Sequence, residues 1–168
     1  MSLYQIVDEA DNLVGLKPRD KIDFQHDYFR VSAVWITNPR GQVLIAQRKL
    51  TKDKDPGKWG PGAAGTLEEG ETYESNAYKE ADEEIGLSDV PFRLGPKILF
   101  KEPRQCHAQW YTATTDRAAD EFTLQPTEVE KVAWIDEADL VRDVVAHPDK
   151  YVASMPWAIE AFIKTKGN

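Results

Sequence analysis

The sequence predicts an α/β or α+β sandwich, on two observations. Runs rich in β-branched and aromatic residues interleave with segments of 3.6-residue apolar period. In addition, 168 residues with 41 % apolar and 30 % charged side chains suffice for one domain with a full core.

In chain order, residues 3–16 (LYQIVDEADNLVGL) read as two short strands around an Asp/Asn-rich turn. Residues 17–27 (KPRDKIDFQHD) are polar and read as a loop or short helix. In residues 28–49, two β-branched and aromatic runs flank NPRG, a turn signature, so a second hairpin follows. Residues 50–65 carry four Gly and two Pro and read as mostly loop. Thr72–Ile85 has helical period: Ala77, Ala81 and Ile85 form one stripe, with Tyr78 beside it, and Gly86 suits the C-cap. Residues 92–100, 106–115 and 129–135 read as strands. Residues 136–148 and 151–166 read as helices, the first opened by Asp136 and stopped by Pro148. With no repeat, low-complexity tract or Pro/Ser linker, residues 1–168 read as one domain. Within it, 1–28 form a hairpin-and-loop extension and 136–168 the C-terminal helices.

A net charge of −8 and a pI near 4.9 argue against a nucleic-acid partner, whose phosphates need a basic face. A small phosphate ligand needs only a few local cations or a metal. The single cysteine, Cys106, allows no internal disulfide, so a reducing, cytoplasmic location is expected. The acidic N-terminus has no apolar signal core, and no apolar run reaches the roughly 20 residues of a spanning helix, so no membrane partner is expected. The commonness of two-fold assemblies makes a homodimer the default expectation.

The chemistry concentrates in residues 65–87 (GTLEEGETYESNAYKEADEEIGL). On a helix, Glu80, Glu83 and Glu84 are surface neighbours, so three carboxylates converge on one patch. Without a counter-ion such spacing destabilises a helix by a few tenths of a kcal/mol per pair. A hard divalent cation reverses the sign: Mg²⁺ takes oxygen ligands and keeps waters for a substrate to displace. The glycines at 62, 65 and 70 let backbone approach a ligand. Glu71 stands at the helix entrance, where Lys79 could pair with it and brace loop against helix. A plain solvated acidic face is the competing reading of the Glu triplet.

Gly65, five residues, Glu71, seven residues, then KEADEEIGL resembles the signature of the Nudix family, G-x5-E-x7-R-E-U-x-E-E-x-G-U with U aliphatic. Gly65, Glu71, Glu80, Glu83, Glu84, Gly86 and Leu87 all match, which makes residues 65–87 the Nudix box. Two positions depart: Lys79 replaces the motif's Arg, keeping charge but losing the bidentate fork, and Ala81 replaces its first aliphatic residue. The resemblance implies an αβα sandwich with a mixed β-sheet, and hydrolysis of a diphosphate joined to another moiety with Mg²⁺ or Mn²⁺. It implies Glu80, Glu83 and Glu84 as metal ligands, the Gly65 carbonyl as a further one, and Glu83 or Glu84 in water activation. Some members add a Glu from a later loop; Glu128 in QPTEVEKVAWI is the candidate, Glu130 the second, and a surface residue before a strand the alternative.

Outside the box, VDEADNLVGLKPR, QRKLTKDKDPGKW and SMPW resemble the isopentenyl diphosphate isomerase branch and its hydrolase-like bacterial relatives. Arg48 and Lys52 match basic positions that hold the diphosphate in the isomerase. Two cations four residues apart beside a Gly-rich loop also suit a diphosphate on physical grounds. The isomerase's own chemistry is missing: Ala64 stands where its Cys would be and Thr66 where a metal-binding His would be. Phe29 replaces a further His, and Cys106 and Ala108 fall where a Glu pair would be. Trp59, bordering the Gly-rich loop, could stack on a substrate ring or pack under the loop. Cys106 with His107 reads as packing, and His26, His107 and His147 are too scattered for a zinc site.

The leading expectation is therefore a Mg²⁺- or Mn²⁺-dependent hydrolase of a small nucleoside-diphosphate-type compound, attacked by metal-activated water. The alternatives are an isopentenyl diphosphate isomerase-like protein and a catalytically silent diphosphate binder.

Overall fold

The structure, a computed structural model, describes residues 1–165. The expected end of the last helix at residue 166, and residues 166–168 of the C-terminal segment, lie outside the described residues. Nine strands form one mixed sheet: β1 (Leu3–Val7), β2 (Leu13–Pro18), β3 (Tyr28–Thr37), β4 (Gln42–Arg48), β5 (Trp59–Pro61), β6 (Ala63–Thr66), β7 (Arg93–Phe100), β8 (Cys106–Thr114) and β9 (Val129–Asp136). Three helices cover it: α1 (Tyr73–Ile85), α2 (Glu137–Ala146) and α3 (Met155–Ile159), which runs on through a wide turn over Glu160–Lys164.

β3 organises the layers. Its side chains alternate between faces, so Ala33 and Trp35 pack toward α2 and α3 while Val34 and Ile36 pack toward α1. β4 divides likewise, with Val43 and Ile45 on the first face and Leu44 on the second. Both faces are covered, which is why these strands read as nearly continuous apolar runs. The result is the expected αβα sandwich.

β3 and β4 leave their turn as a hairpin but pair only at Thr37 and Val43. Beyond that point they part. β6 runs along β3 (Val31 to Val34 against Thr66 to Ala63) and β5 along β4 (Ile45 to Gln47 against Pro61 to Trp59). β8 lies parallel to β3 over Phe29–Thr37, and β9 antiparallel to β4. The sheet is forked, and the fork opens toward the C-terminal end of β4.

Two expectations need correction, and a third needs an addition. Residues 50–65 are mostly loop, but two short strands, β5 and β6, interrupt them and line the two arms of the fork. Their Gly and Pro content masked strands whose ladder partners lie on other segments. Gly62 is needed there because a Cβ would lie 2.6 Å from Ile36 Cδ1. The last helix begins at Met155, not at residue 151, because Val152 N–H donates to the Trp59 carbonyl at 2.9 Å and holds the chain extended. Thr72 caps α1 instead of opening it. Its hydroxyl accepts from Ser75 N–H at 3.0 Å while Ser75 Oγ accepts from Thr72 N–H at 2.9 Å, a capping box. At the far end Gly86 takes the left-handed conformation (φ 69°) expected of a C-cap.

Candidate active site

α1 lays Asn76, Ala77, Ala81 and Ile85 against the sheet. Along one edge of that stripe, Asn76, Glu80 and Glu84 follow at four-residue spacing, so three polar side chains point to the border between helix and sheet. Asn76 is fully buried. Its Nδ2 donates to Glu71 Oε2 at 2.8 Å, and its Oδ1 accepts from the equally buried Ser32 hydroxyl. Glu71 Oε2 also accepts from Glu68 N–H at 2.8 Å, while Glu71 Oε1 pairs with Lys79. The loop entering α1 is thus tied to both helix and sheet. Lys79 Nζ reaches Glu68 at 3.0 Å as well and Glu80 at 3.9 Å. Glu68 is therefore a third member of this brace. Burial alone would lower the Lys79 ammonium, but Glu71 and Glu68 outweigh it and push it up.

Glu84 turns toward β6 and accepts from Ala64 N–H at 3.2 Å. Burial, then the charge of Glu80, pushes its carboxyl up to about 8, and burial pushes Glu80 up to about 7 against the pull of Lys79. Glu83 is exposed beside them. Among the described residues no three or more His, Cys, Asp or Glu side chains are gathered in position to hold a metal ion. Glu80, Glu83 and Glu84 share the C-terminal half of α1. The donor set nevertheless fits a hard divalent ion on two counts. Burial pushes the carboxyls of Glu80 and Glu84 up, and Lys79 offsets this only in part at Glu80, so a cation among them would relieve that cost. At Gly65 a Cβ would overlap the Glu80 carboxyl, with Oε1 2.5 Å away, so only glycine lets backbone and carboxylate share this space.

These raised carboxyls give a stability prediction. A folded-state value above the ordinary 4.5 means that folding retains protons the unfolded chain releases. The associated stability is full below about pH 4.5 and is lost as pH rises through about 8. In chelator, scanning calorimetry should therefore show a melting temperature that falls between pH 5 and pH 8. Glu84→Gln should flatten the fall, and an equally steep curve in that variant would refute the assignment.

A cavity of about 280 Å³ opens in the fork above this helix end. Glu84, Ala64, Gly65 and Thr66 line one side, and Arg48 and Glu128 line its margin. Most of the remaining wall is apolar, including Val31, Ala33, Phe100, Ala108, Trp110 and Val129. Arg48 is steadied by Nε donating to the Lys54 carbonyl at 3.0 Å. Glu128 is ion-paired with Lys52, which does not line this cavity. Glu130 pairs with Lys49 at 3.1 Å and also stays off the wall. Trp59 is not among the lining residues. It packs against the core cluster that includes the cavity-wall residues Ala33, Ala108 and Trp110, with Lys131 Nζ 5.7 Å from its ring centroid. Cys106 does line the cavity, and burial pushes its thiol up to about 11.

Sequence reasoning missed Asn76, although its four-residue spacing from Glu80 and Glu84 was available as a signal.

The family model described as NUDIX domain matches residues 27–155. An uncharacterized Nudix hydrolase of Yersinia pestis is 31 % identical over 163 residues, covering 97 % of this chain and 86 % of the relative. A prenyl-diphosphate phosphatase of Methanosarcina mazei is 30 % identical over 155 residues, covering 89 % of this chain and 88 % of the relative. Among solved structures, a Deinococcus radiodurans protein superposes with a TM-score of 0.83 at 20 % identity, over 95 % of this chain and 99 % of that one.

Proposed function

Because this chain belongs to the Nudix hydrolase family, we propose that it hydrolyses a small diphosphate compound whose organic group is apolar, using a divalent cation held by Glu80, Glu83, Glu84 and the Gly65 carbonyl. The observation that carries this is the placement of Glu84 at the edge of a cavity whose wall is mostly apolar, with Arg48, Glu128, Gln47, Asp55 and Ser154 among its other polar side chains. A polar group of the guest set against the apolar part of this wall would go unpaired, at a cost of about 1–3 kcal/mol. The prenyl-diphosphate phosphatase of Methanosarcina mazei supports the same choice.

Mg²⁺ or Mn²⁺ would neutralise phosphate oxygens and lower the pKa of a bound water. The chain's own residues supply position and proton movement. Glu71, Glu68 and Lys79 fix the loop that carries Gly65, and the Ala64 N–H orients Glu84. Glu83 and Glu84 stand at the helix end where a water proton would be taken, with Glu128 across the cavity margin as a further acceptor. Arg48 meets the charge that develops on the phosphate, with Lys52 behind it. Isomerisation of an alkene instead needs an acid over the cavity. Ala64 has no proton to give, its N–H is committed to Glu84, and the high value of Cys106 makes that thiol a poor donor.

The test is product formation from geranyl diphosphate, isopentenyl diphosphate and ADP-ribose with Mg²⁺, read by chromatography. Hydrolysis of geranyl diphosphate is expected, abolished by chelator and restored by Mn²⁺, with no dimethylallyl diphosphate formed. Undiminished hydrolysis in chelator would sink the metal reading, and faster turnover of ADP-ribose would sink the apolar one.

A further inference from the structure

The hairpin of β1 and β2 lies outside residues 27–155, the stretch that the family model matches, and no residue of either strand lines the cavity of the fork. Its side chains nevertheless reach the loop that leads from Gly65 into α1. Gln5 on β1 is buried, and its side-chain amide donates twice to that loop: Nε2 reaches the Glu68 carbonyl at 2.8 Å and the Glu71 carbonyl at 2.8 Å. Its Oε1 accepts from Arg30 Nη1 at 2.8 Å. Main-chain bonds run alongside. Gln5 N–H donates to the Leu67 carbonyl at 3.1 Å, Leu67 N–H to the Arg30 carbonyl at 2.9 Å, and Glu69 N–H to the Leu3 carbonyl at 2.8 Å.

Arg30 is fixed in turn from the tip of the hairpin. Its Nε donates to Asp11 Oδ1 at 2.7 Å and its Nη2 to the Asp11 carbonyl at 2.6 Å. Asp11 has φ 67°, a left-handed conformation that Asp tolerates better than most residues, and in it the carbonyl and the carboxylate meet one guanidinium. The same carboxylate accepts from the Tyr73 hydroxyl at 2.9 Å and pairs with Lys97. Tyr73 is the first residue of α1. One line of contacts therefore runs from Asp11 through Arg30 and Gln5 onto loop carbonyls, and a branch runs from Asp11 onto the start of the helix.

The loop needs such anchors. Gly65 and Gly70 both lie in it, Gly70 at φ 82°, and each gives the backbone more freedom than any other residue would. Glu71, Asn76 and Lys79 hold the loop through side chains, but they leave the direction of its peptide planes open. A planar peptide whose carbonyl is anchored has its orientation set, and this restricts the planes on either side. Leu67 stands two residues after Gly65, so bonds at Leu67, Glu68 and Glu71 limit where the Gly65 carbonyl can point.

We propose that Gln5 and Arg30, locked by Asp11, are positioning residues for the metal site, and that the β1–β2 hairpin serves this chain by holding the Gly65 loop in the conformation ligation needs. This rests on the metal reading above. Partners of ligands commonly change metal affinity about 10–100-fold when they are removed. Gln5→Leu keeps much of the volume but leaves two loop carbonyls and an Arg30 N–H without their partner. Arg30→Lys keeps the charge but cannot bond Asp11 and Gln5 together in the fork that the guanidinium makes.

The test is direct Mn²⁺ binding to the whole chain without substrate, read by loss of the paramagnetic resonance signal of the free ion, well below the thermal transition. Gln5→Leu and Arg30→Lys are expected to bind about tenfold or more weakly than wild type. In turnover of geranyl diphosphate, half-activating Mg²⁺ should rise by a similar factor, with kcat at saturating Mg²⁺ within about threefold. Val144→Ala, a cavity in the core under α2, is the control for lost stability alone and should bind Mn²⁺ as wild type does. Wild-type Mn²⁺ affinity in both Gln5→Leu and Arg30→Lys overturns the proposal. So does an equal loss of affinity in Val144→Ala. Where Gln5→Leu does not fold, Arg30→Lys decides alone. The two readings fail separately. Glu83→Gln binding Mn²⁺ as tightly as wild type would remove the carboxylate assignment, whereas weak binding there with full affinity in Gln5→Leu and Arg30→Lys would remove only the role of the hairpin.

Discussion

Glu84→Gln is expected to lower hydrolysis of the diphosphate substrate about a hundredfold or more, while leaving the fold intact and the metal-free protein more stable near pH 8. The two effects share one cause. Glu84 is a carboxyl that burial holds at about 8, beside Glu80 at about 7. An amide keeps the oxygen that accepts from Ala64 N–H but carries no charge. Removing the charge relieves the buried repulsion with Glu80 and takes away the oxygen proposed to bind metal and accept a proton. General-base catalysis contributes about 10²–10⁴ in rate, and metal activation of water is lost with it. The check is kcat with saturating Mg²⁺ beside melting temperature in chelator. A variant that keeps wild-type kcat would show that Glu84 is only a structural acid. One that melts lower would show that the carboxyl is not the burdened group its surroundings imply.

The second large effect is on stability. Asn76→Ala is expected to destabilise the protein by about 3 kcal/mol, because it strands partners that are themselves buried. Ser32 is fully buried and loses its acceptor, and Glu71 loses one of the donors that hold it against the loop. For a chain of this length that is a drop of about 6–12 °C in melting temperature. Ser32→Ala in the same background should recover part of the loss, since it removes the unmatched hydroxyl. A double variant no more stable than Asn76→Ala would show that the loss comes from the cavity left by the side chain.

These two residues also show what the sequence made legible. The carboxylates of α1, its glycine cap and its apolar stripe are set by spacings within one turn or two, so a linear reading finds them. The brace between Glu71 and Lys79 was legible for the same reason, and its third member, Glu68, is only three residues away. β5 and β6 were not legible, because their strand character comes from the open edges of β3 and β4 and not from their own Gly- and Pro-rich composition. Trp59 illustrates the same limit. Its place beside the glycines suggested a ligand, but the ring packs into the core cluster and is not among the residues that line the cavity. Lys54 and Arg104 are fifty residues apart along the chain, and only the fold brings both over the Phe24 ring.

The fork between β3 and β4 has a further consequence. Many binding pockets are roofed by loops, which can lengthen or change without disturbing what lies beneath. This one is a gap within a sheet, and its walls include Val31, Ala33, Ala46 and Ala108, residues whose main chains are already committed to ladders. The frame therefore cannot widen without breaking registers on both arms. Selectivity for the length and bulk of the guest has to be tuned by trading one wall side chain for another, with the alanines as the natural adjusting screws. The pocket behaves as a gauge of fixed bore, and relatives that accept longer or shorter guests would differ at those small residues before they differ in their loops.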